Sequence, residues 1–560
     1  MTVVISTQVF FDLEIPGYMA RITVLLSQSS PANLIMDEGL AMIGCSIASV
    51  FCSVAAGGIA AYVASEFAKI LRKKQFEKVQ SFSPEEMGRF NIYSLITRST
   101  NDVTQVQLAM GRTSKLIVMV PVMTYIALSK VATGSWEWTE VTAVGITAII
   151  IVQIFMLYYV IPRYRKVQGY TDEMNRTVRE GLSGVRVIRA FNAEDYQNRK
   201  ADDANDELTE NNLYASRLLA FTRPFNGVVQ NILTVAIYML GAGIILAASA
   251  DDALIVFSNM IVFSSYIMYV VSAFILLAHV AMGLPRAIIC GRRVREVIDT
   301  DTTILNGTVT ESEDTDVCIS FKDVAFAYPG SKAEALSGIS FDVRRGETVA
   351  VIGQTGSGKT SLVNLVPRMF DATSGKVVID GIDVKDYDLD VLRSKIGYAT
   401  QKPMLFSGTA RFNIGYGRSD CSDDEMMAAA RVACIDTFLQ SKEGLDTVVE
   451  QMGSNLSGGQ RQRISIARAV CKRPEIYIFD DTFSALDFKT DAQVRRNLKK
   501  ETSGSTILIV SQRIGTIADA DRIIVLSDGK MVGNGKHEQL MKDCDIYREM
   551  ARIQDYEVME

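Results

Sequence analysis

Long apolar segments fill the first half of this 560-residue chain, and they constrain its fold more than any other feature. A membrane-spanning helix needs about 20 predominantly apolar residues, and six segments reach that length. From residue 318 onward the pattern changes to short β-rich runs with interspersed glycines and charges, as in a soluble α/β domain. We therefore expect a helical membrane part followed by a soluble part. The apolar segments lie near residues 2–26, 39–68, 108–131, 141–162, 217–249 and 253–283.

The connections between these segments carry charges that predict their orientation. No Lys or Arg occurs in residues 22–38, 131–140 or 249–253, whereas residues 66–100 and 163–200 are rich in both. Lys and Arg collect on the cytoplasmic side of membrane proteins. The two basic stretches are therefore predicted to form helical hairpins in the cytosol, on the same side as the soluble part.

Composition argues against several other classes of protein. The formal net charge is -6, and no basic block or basic stripe with interleaved aromatic residues points to a nucleic acid partner. The eight cysteines are scattered without CxxC pairs, so neither a disulfide framework nor a zinc site is expected. The first residues, MTVVISTQVFF, lack the basic region and the cleavage site of a secretory signal and are interpreted as part of a membrane span.

Ionisable residues also occur inside the apolar segments, where a charge is costly and is by default a hypothesis for a functional site. Hydrogen bonding between helices, or a position close to the membrane surface, explains them equally well. The sequence leaves these alternatives open. The residues are Asp12, Glu14, Arg21 and His279.

A phosphate-binding loop opens the chemistry of the soluble part. The run ETVAVIGQTGSGKTSLVNLV is predicted to form a strand, a glycine-rich turn and a helix, and it contains a complete P-loop. The glycines let backbone N–H groups close around phosphates, Lys359 reaches the β- and γ-phosphates, and Thr360 supplies a hydroxyl to Mg²⁺. The predicted nucleotide-binding residues of the loop are Gly353, Gln354, Thr355, Gly356, Ser357, Gly358, Lys359 and Thr360.

Two further motifs follow the P-loop. An apolar strand, residues 476–479, ends in Asp480, where a carboxylate is needed to hold the Mg²⁺ shell. Upstream of it, the segment LSGGQ at residues 456–460 precedes a helix, and this segment closely resembles the signature of the ABC transporter family. Its hydroxyl, its amides and its helix N-terminus are suited to a γ-phosphate held on a second ATPase domain, so the motif implies a dimer. Its predicted nucleotide-binding residues are Ser457, Gly458, Gly459 and Gln460.

The remaining elements of that family occur in the expected order. The resemblance implies that Tyr328 in FAYPG stacks on the adenine of ATP, and that Asp487 in SALD lies at the nucleotide. It also implies that Gln401 in ATQKPMLFSGT contacts Mg²⁺, with Thr360 and Asp480, and takes part in catalysis. The cofactors implied are ATP and Mg²⁺.

The resemblance extends to the membrane half. Residues 83–103 and 179–195 are similar to the intracellular hairpins of ABC exporters, which carry short coupling helices. The implied architecture is an all-α six-helix transmembrane bundle (1–300), an acidic linker (301–317) and an α/β P-loop ABC nucleotide-binding domain (318–560). Such a chain is expected to pass several times through the bacterial cytoplasmic membrane, with its ATPase domain in the cytosol. Family members usually begin with an amphipathic elbow helix, which this sequence does not show.

Two positions depart from the family pattern, and both concern hydrolysis. Asp481 stands where the family usually has the glutamate that acts as general base, and a carboxylate withdrawn by about 1 Å loses on the order of a hundredfold in rate. Gln512 stands where a histidine normally contacts the γ-phosphate, and a neutral amide cannot offer positive charge to the transition state. We therefore expect ATP binding to survive and turnover to suffer.

This pattern resembles the degenerate-site subunit of bacterial heterodimeric multidrug ABC exporters. It implies a second, different half-transporter with intact Glu and His, and export of small amphiphilic drugs or lipid-like molecules by alternating access. Two alternatives stay open. One is an importer, or a transporter of a specific peptide or siderophore, with the same fold. The other is an ATP-gated channel or regulator, because a slow ATP site also suits gating by occupancy.

Overall fold

The computed structural model describes residues 1–132, 136–247, 249–313 and 315–554. Within an element, some side chains, that of His279 among them, also lie outside the described part. The chain forms two compact units. The helical unit comprises Met1–Gln80 and Ile92–Thr300, and the α/β unit comprises Ser81–Asn91 and Asp301–Glu560.

The helical unit consists of long helices with short pieces between them. α2 has 49 residues, which at 1.5 Å per residue far exceeds a hydrocarbon core about 30 Å thick, so one part of it continues beyond the bilayer. A π-helical turn, Arg98–Asp102, precedes α5. The bounds are α1 (Thr2–Ser27), α2 (Ala32–Gln80), α3 (Pro84–Arg89, in the α/β unit), α4 (Ile92–Thr97), α5 (Val103–Ala132), α6 (Trp136–Ser183), α7 (Val185–Ala190), α8 (Glu194–Ala247) and α9 (Ala250–Asp299).

The six predicted spans fall on six long helices, namely α1, α2, α5, α6, α8 and α9. By length and composition alone, four helical stretches among the described residues qualify as membrane spans. α1 is outside this group, and it contains three of the ionisable residues noted above. The qualifying stretches are Ala32–Gln80, Ile92–Ala132, Pro224–Leu246 and Ala253–Leu277.

An apolar core holds the helical unit together, and two acidic side chains beside it have hydrogen-bond or ion-pair partners. Ile5, Val9 and Leu13 recur every four residues along one face of α1 and are fully buried among apolar residues of α5, α8 and α9. Asp12 accepts hydrogen bonds from Ser49 of α2 and Gln8, and Glu14 pairs with Lys130 of α5 at 2.5 Å. Helix–helix bonding therefore accounts for Asp12 and Glu14.

The short helix α3 is tied to the segment that follows α9. Ser83 caps α3 with a reciprocal capping box, in which the Glu86 carboxylate accepts from the Ser83 backbone N–H at 2.6 Å. The other oxygen of Glu86 accepts from the Thr303 backbone N–H at 2.8 Å. Burial alone would raise the pKa of Glu86, but the hydrogen bonds from Ser83 and Thr303 outweigh it and lower the pKa to about 2. A charged, buried carboxylate thus joins two segments 217 residues apart.

The α/β unit is built on a six-stranded sheet of order β12-β11-β3-β10-β9-β6, in which β12 is the antiparallel edge strand. A four-stranded antiparallel sheet of order β2-β1-β4-β5 packs beside it. The strands are β1 (Val317–Phe326), β2 (Leu336–Arg344), β3 (Thr348–Gly353), β4 (Ser374–Ile379), β5 (Ile382–Asp383), β6 (Ile396–Ala399), β7 (Gly408–Thr409), β8 (Val448–Val449), β9 (Ile476–Asp480), β10 (Thr506–Val510), β11 (Arg522–Ser527) and β12 (Lys530–Gly535).

Both faces of the larger sheet are buried, so a ligand can reach the sheet at the ends of its strands. Ala350 and Ile352 of β3 belong to one buried cluster, while Val349 and Val351 belong to the other, as the two-residue period of a strand requires. In parallel sheets ligands bind at the carboxyl ends of the strands. Besides α3, the α-helices of this unit are α10 (Lys359–Leu365), α11 (Leu389–Ser394), α12 (Ala410–Ile414), α13 (Asp423–Val432), α14 (Asp436–Gln440), α15 (Gly458–Cys471), α16 (Phe488–Glu501), α17 (Ile514–Ile517), α18 (His537–Asp543) and α19 (Asp545–Ile553).

One pair of the cysteines that are scattered in the sequence meets in the fold. The sulfur atoms of Cys421 and Cys471 are within bonding contact at the carboxyl end of α15. Their Cα atoms are 7.2 Å apart, beyond the range of about 4.4–6.8 Å usual for disulfides, so we interpret the contact as two packed thiols. Their separation of 50 residues leaves no spacing signal in the sequence.

Candidate functional site

The P-loop joins the end of β3 to the start of α10. Gly356 and Gly358 have positive φ angles of 87° and 98°, a region that other residues rarely adopt. A Cβ at Gly358 would lie 2.6 Å from the Ala335 carbonyl oxygen, so the loop requires glycine there. The predicted strand, turn and helix therefore fold as a glycine-rich cradle at the carboxyl edge of the sheet, a geometry suited to phosphate.

Lys359 lies inside this cradle. Its ammonium group donates to the carbonyl oxygens of Gly353 and Gln354, both at 2.7 Å, and contacts the Ser357 hydroxyl at 3.4 Å. Burial lowers the pKa of Lys359, and the nearby carboxylates of Asp480 and Asp481 oppose that shift. The cation is thus held where phosphate oxygens would meet the backbone amides.

Thr360 and Asp480 form a pair of candidate oxygen ligands beside the cradle. The Thr360 hydroxyl donates to Oδ1 of Asp480 at 3.1 Å. Burial raises the pKa of Asp480, while the hydrogen bond from Thr360 opposes it. A hydroxyl and a carboxylate at this separation suit Mg²⁺, which takes hard oxygen ligands and keeps several waters. The residues present therefore fit the metal that the sequence predicts.

Tyr398 is a member of this site that the sequence did not identify. Its hydroxyl donates to Asn364 Oδ1 at 2.8 Å and lies 3.5 Å from Oδ2 of Asp480. Burial and the Asp480 carboxylate raise its pKa, so it stays a neutral hydrogen-bond donor. Tyr398 thereby contacts the carboxylate that is predicted to bind Mg²⁺. The one feature of the sequence that could have identified Tyr398 is its position three residues before the predicted site residue Gln401.

The two departures from the family pattern meet at one carboxylate. Oδ2 of Asp481 accepts from the side-chain amide of Gln401 at 3.3 Å and from that of Gln512 at 3.4 Å. The amide oxygen of Gln512 accepts in turn from Thr355 of the P-loop at 3.4 Å. Asp481 is 8% exposed and has a φ of 47°. The hydrogen bonds that hold its side chain in place therefore come from two neutral amides.

The predicted adenine-stacking residue lies at the rim of the same site. The Tyr328 ring packs edge-to-face against Phe326 and Phe370, and its hydroxyl hydrogen-bonds Ser361 of α10 at 2.8 Å. The residue remains 40% exposed, which leaves ring surface for a base. A cavity of 310 Å³ connects this rim to the P-loop. The predicted residues that line it are Tyr328, Thr355, Gly356, Gly358, Lys359, Thr360, Gln401, Asp480, Asp481 and Gln512.

The signature segment is not part of this cavity lining. Ser457 caps α15: its hydroxyl accepts from the Gln460 N–H at 3.3 Å, and the Gln460 side chain accepts from the Ser457 N–H at 2.8 Å. Asp487 similarly caps α16 by accepting from Thr490 at 3.0 Å. Within the described part of the chain, Gly458 has no atom within 4 Å of the place where a Cβ would stand. This segment is therefore open to a ligand brought by another chain.

Comparisons with known proteins decide the family. The protein-family model described as "ABC transporter" matches residues 336–484, and the family model described as "ABC transporter transmembrane region" matches residues 2–274. An ABC transporter ATP-binding protein of Mycobacterium bovis is 37% identical over 525 residues, covering 93% of this chain and 89% of the relative. The chain belongs to the ABC transporter family. The predicted fusion of a transmembrane region to an ATPase domain is thereby confirmed.

Further matches agree with this assignment of the transporter. An ABC transporter ATP-binding protein of Bacillus subtilis is 34% identical, with 92% of this chain and 89% of the relative covered. The ATP-dependent lipid A-core flippase of Syntrophus aciditrophicus is 31% identical, with 90% and 82% covered. The fold matches the structure of a bacterial Atm1-family ABC exporter with ATP bound, at a TM-score of 0.79, 22% identity and coverage of 100% and 98%. The transporter thus has the exporter-type fold, and its ABC domain is an ATPase.

Proposed function

We propose that this transporter is one subunit of a heterodimeric exporter, and that its own ATP site binds nucleotide while hydrolysing it slowly. The cargo is an amphiphilic drug or lipid-like molecule, moved out of the cytosol by alternating access. The observation that carries the proposal is the double hydrogen bond that Gln401 and Gln512 make to one oxygen of Asp481.

The geometry around Asp481 supports slow hydrolysis. A general base must reach the attacking water within hydrogen-bond distance, and aspartate is one methylene shorter than the usual glutamate. Gln401 and Gln512 also occupy lone pairs of the oxygen Oδ2. Gln512 adds no positive charge for the developing phosphate charge.

The binding side of the site supports nucleotide retention. Lys359 lies in the cradle, and Tyr328 presents an exposed ring to a base. Thr360, Asp480 and Gln401 would hold Mg²⁺, which when bound neutralises charge on the phosphates. None of these residues departs from the family pattern. The site therefore suits long-lived ATP occupancy that holds two ATPase domains together.

The signature segment supports a role in the partner's site. Half-transporters of this type act as dimers in a lipid bilayer, and the open face at Gly458 suits a γ-phosphate presented by the second subunit. That partner would carry the Glu and His that are replaced here by Asp481 and Gln512. Support for an amphiphilic cargo comes from the likeness to a protein named as a lipid A-core flippase.

The proposal is tested by purifying the chain with the half-transporter that copurifies with it and reconstituting the pair in liposomes. We expect a one-to-one complex of different chains that moves a fluorescent amphiphile, outward in the cellular sense, only with ATP. Replacement of Asp481 by Asn should leave this transport within about twofold of the parent. A homodimer with full activity, accumulation in the opposite direction, or ATP-gated ion current without cargo movement would each overturn the proposal.

A further inference from the structure

A cavity of 520 Å³ lies in the helical unit, between α1, α2, α5 and α9. Its volume is in the range of small-molecule sites, about 300–1,000 Å³. Two of its lining residues are cations, Arg21 and Lys130, and one is an anion, Glu38. We propose that this cavity binds the anionic head of an amphiphile, a phosphate or a carboxylate, with Arg21 as the principal contact.

The position of the cavity is that of a headgroup site. Arg21 lies six residues before the end of α1, and Glu38 lies six residues after the start of α2, each about 9 Å from the helix end at 1.5 Å per residue. Lys130 is two residues before the end of α5. These are the ends that the loop charges place on the outer side of the membrane. In the predicted orientation, the charged groups therefore lie close to the outer helix ends, where headgroups of the outer leaflet are expected.

The walls of the cavity are amphipathic, as a lipid-like ligand requires. Val24 and Leu25 of α1 and Val262 and Phe263 of α9 contribute apolar surface to its lining. Asn259 of α9 adds a polar group to the lining. The lining thus offers charge and hydrogen bonds to a headgroup and apolar surface to a chain.

Of the two cations that line the cavity, Arg21 has the weaker contacts with its neighbours. Its Nε contacts Glu38 at 3.5 Å, its guanidinium stacks over the Tyr18 ring at 4.2 Å, and 53% of its side chain is exposed. Within the described part of the chain, its two terminal nitrogens make no hydrogen bond. A planar guanidinium with open terminal nitrogens is suited to bidentate binding of carboxylate or phosphate.

Lys130 is already paired with an acidic residue, so we assign it a supporting role in binding the anion. Its ammonium pairs with Glu14 at 2.5 Å and lies 5.8 Å from the centre of the Phe10 ring. This pair joins α1 to α5 and holds the cation at the cavity wall. A role in holding helices explains Lys130 and Glu14, but it does not explain a half-exposed Arg21 beside an open volume. Lys130 is therefore a supporting contact.

The inference rests on the proposed export function and deepens it, since it names a chemical class of cargo. Direct binding measurements test the anion site separately from export. The complex with its partner is placed in phosphatidylcholine nanodiscs, and binding of radiolabelled dodecyl phosphate and lauric acid is compared with that of dodecylamine and dodecanol. We expect both anions to bind saturably and about tenfold or more tighter than the amine or the alcohol. Equal binding of dodecylamine would overturn the proposal.

Four variants locate the binding. Arg21→Met should weaken dodecyl phosphate by about tenfold, and Arg21→Lys should recover part of that loss. Glu38→Gln should tighten binding, because it removes the competing carboxylate, and a gain of binding also shows that the fold is intact. The matched control is Lys115→Met, a cation on the same helix as Lys130 that donates to Ser53 of α2 outside the cavity. An Arg21→Met variant that binds like the parent, or a Glu38→Gln variant with weaker binding, would contradict the site.

Two sources of the headgroup are separated by the readout. If the occupant is cargo, dodecyl phosphate should stimulate ATP hydrolysis by the complex at least twofold, and Arg21→Met should abolish the stimulation. If it is a resident lipid, native mass spectrometry should find phosphatidylglycerol retained by the parent and lost from Arg21→Met, without stimulation. Absence of both retention and stimulation would overturn the site. Failure to export any amphiphile, with anion binding intact, would overturn the export function and leave the site standing.

Discussion

The side-chain amide of Gln512 donates to Oδ2 of Asp481 across 3.4 Å, and Gln401 donates to the same oxygen across 3.3 Å. The two residues that depart from the family pattern, Asp481 and Gln512, thus hydrogen-bond each other. Two neutral amides thus restrain the Asp481 carboxylate, and the Lys359 ammonium is the cation close to it. In the proposed account, the ATP site therefore combines the predicted nucleotide-binding residues with a restrained candidate base.

Restoring the family residues should restore hydrolysis at this site. In a complex whose partner carries Gln in place of its catalytic Glu, turnover depends on this chain's site. There the double variant Asp481→Glu with Gln512→His should raise the ATPase rate by about 10- to 100-fold, because it returns both reach and charge to the transition state. Phosphate release measures the rate. Each single variant is the control and should gain less, and a double variant as slow as its parent would contradict the account.

Two glycine substitutions should separate this chain's site from its partner's. A Cβ at Gly458 meets no described atom within 4 Å, so Gly458→Ala should keep the fold and ATP binding. It should nevertheless lower hydrolysis at the partner's site by about tenfold or more, because the γ-phosphate must approach this backbone. Gly358→Ala, with a φ of 98° and the Ala335 oxygen 2.6 Å away, should instead reduce nucleotide binding to this chain. Photolabelling of each chain with azido-ATP distinguishes the two, and equal loss of labelling in both variants would refute this assignment.

Tyr328 should contribute to ATP affinity through its ring. Tyr328→Ala should weaken ATP binding to this chain by about three- to tenfold, the size of an aromatic stacking contribution. Tyr328→Phe keeps the ring and loses the hydrogen bond to Ser361, so it should bind ATP within about twofold of the parent. Titration with a fluorescent ATP analogue measures both affinities. The stacking role would be excluded by equal affinities for the Ala and Phe variants.

The Glu86 carboxylate should protect the linker in a pH-dependent way. Its pKa is lowered from 4.5 to about 2, so its contribution to stability is present above about pH 4.5 and is lost as pH falls toward 2. Glu86→Ala should speed exchange of the Thr303 amide hydrogen by about tenfold or more at neutral pH, since that N–H loses its acceptor. Glu85→Ala is the matched control, because Glu85 pairs with Arg89 of the same helix. Unchanged exchange at Thr303 in Glu86→Ala would contradict the role.

Local patterns carried the predictions that succeeded. The P-loop, the Asp480 strand and the long apolar runs depend on neighbouring residues, so periodicity and motif spacing were sufficient to place them. Contacts between distant segments left no such signal. Glu86 meets Thr303 across 217 residues, and Tyr398 meets Asp480 across 82. Arg21 was identified as an intramembrane charge, but its pairing with Glu38 and its place in a cavity depend on four helices packing together.

The most direct test of slow hydrolysis is the chemical identity of the nucleotide held by this chain during turnover. The complex is incubated with Mg²⁺ and azido-ATP labelled at the α-phosphate, photolysed while it is hydrolysing, and separated into its two chains. The account predicts that the label on this chain is predominantly triphosphate, while the partner's label is largely diphosphate. A diphosphate fraction on this chain equal to that on the partner would contradict it.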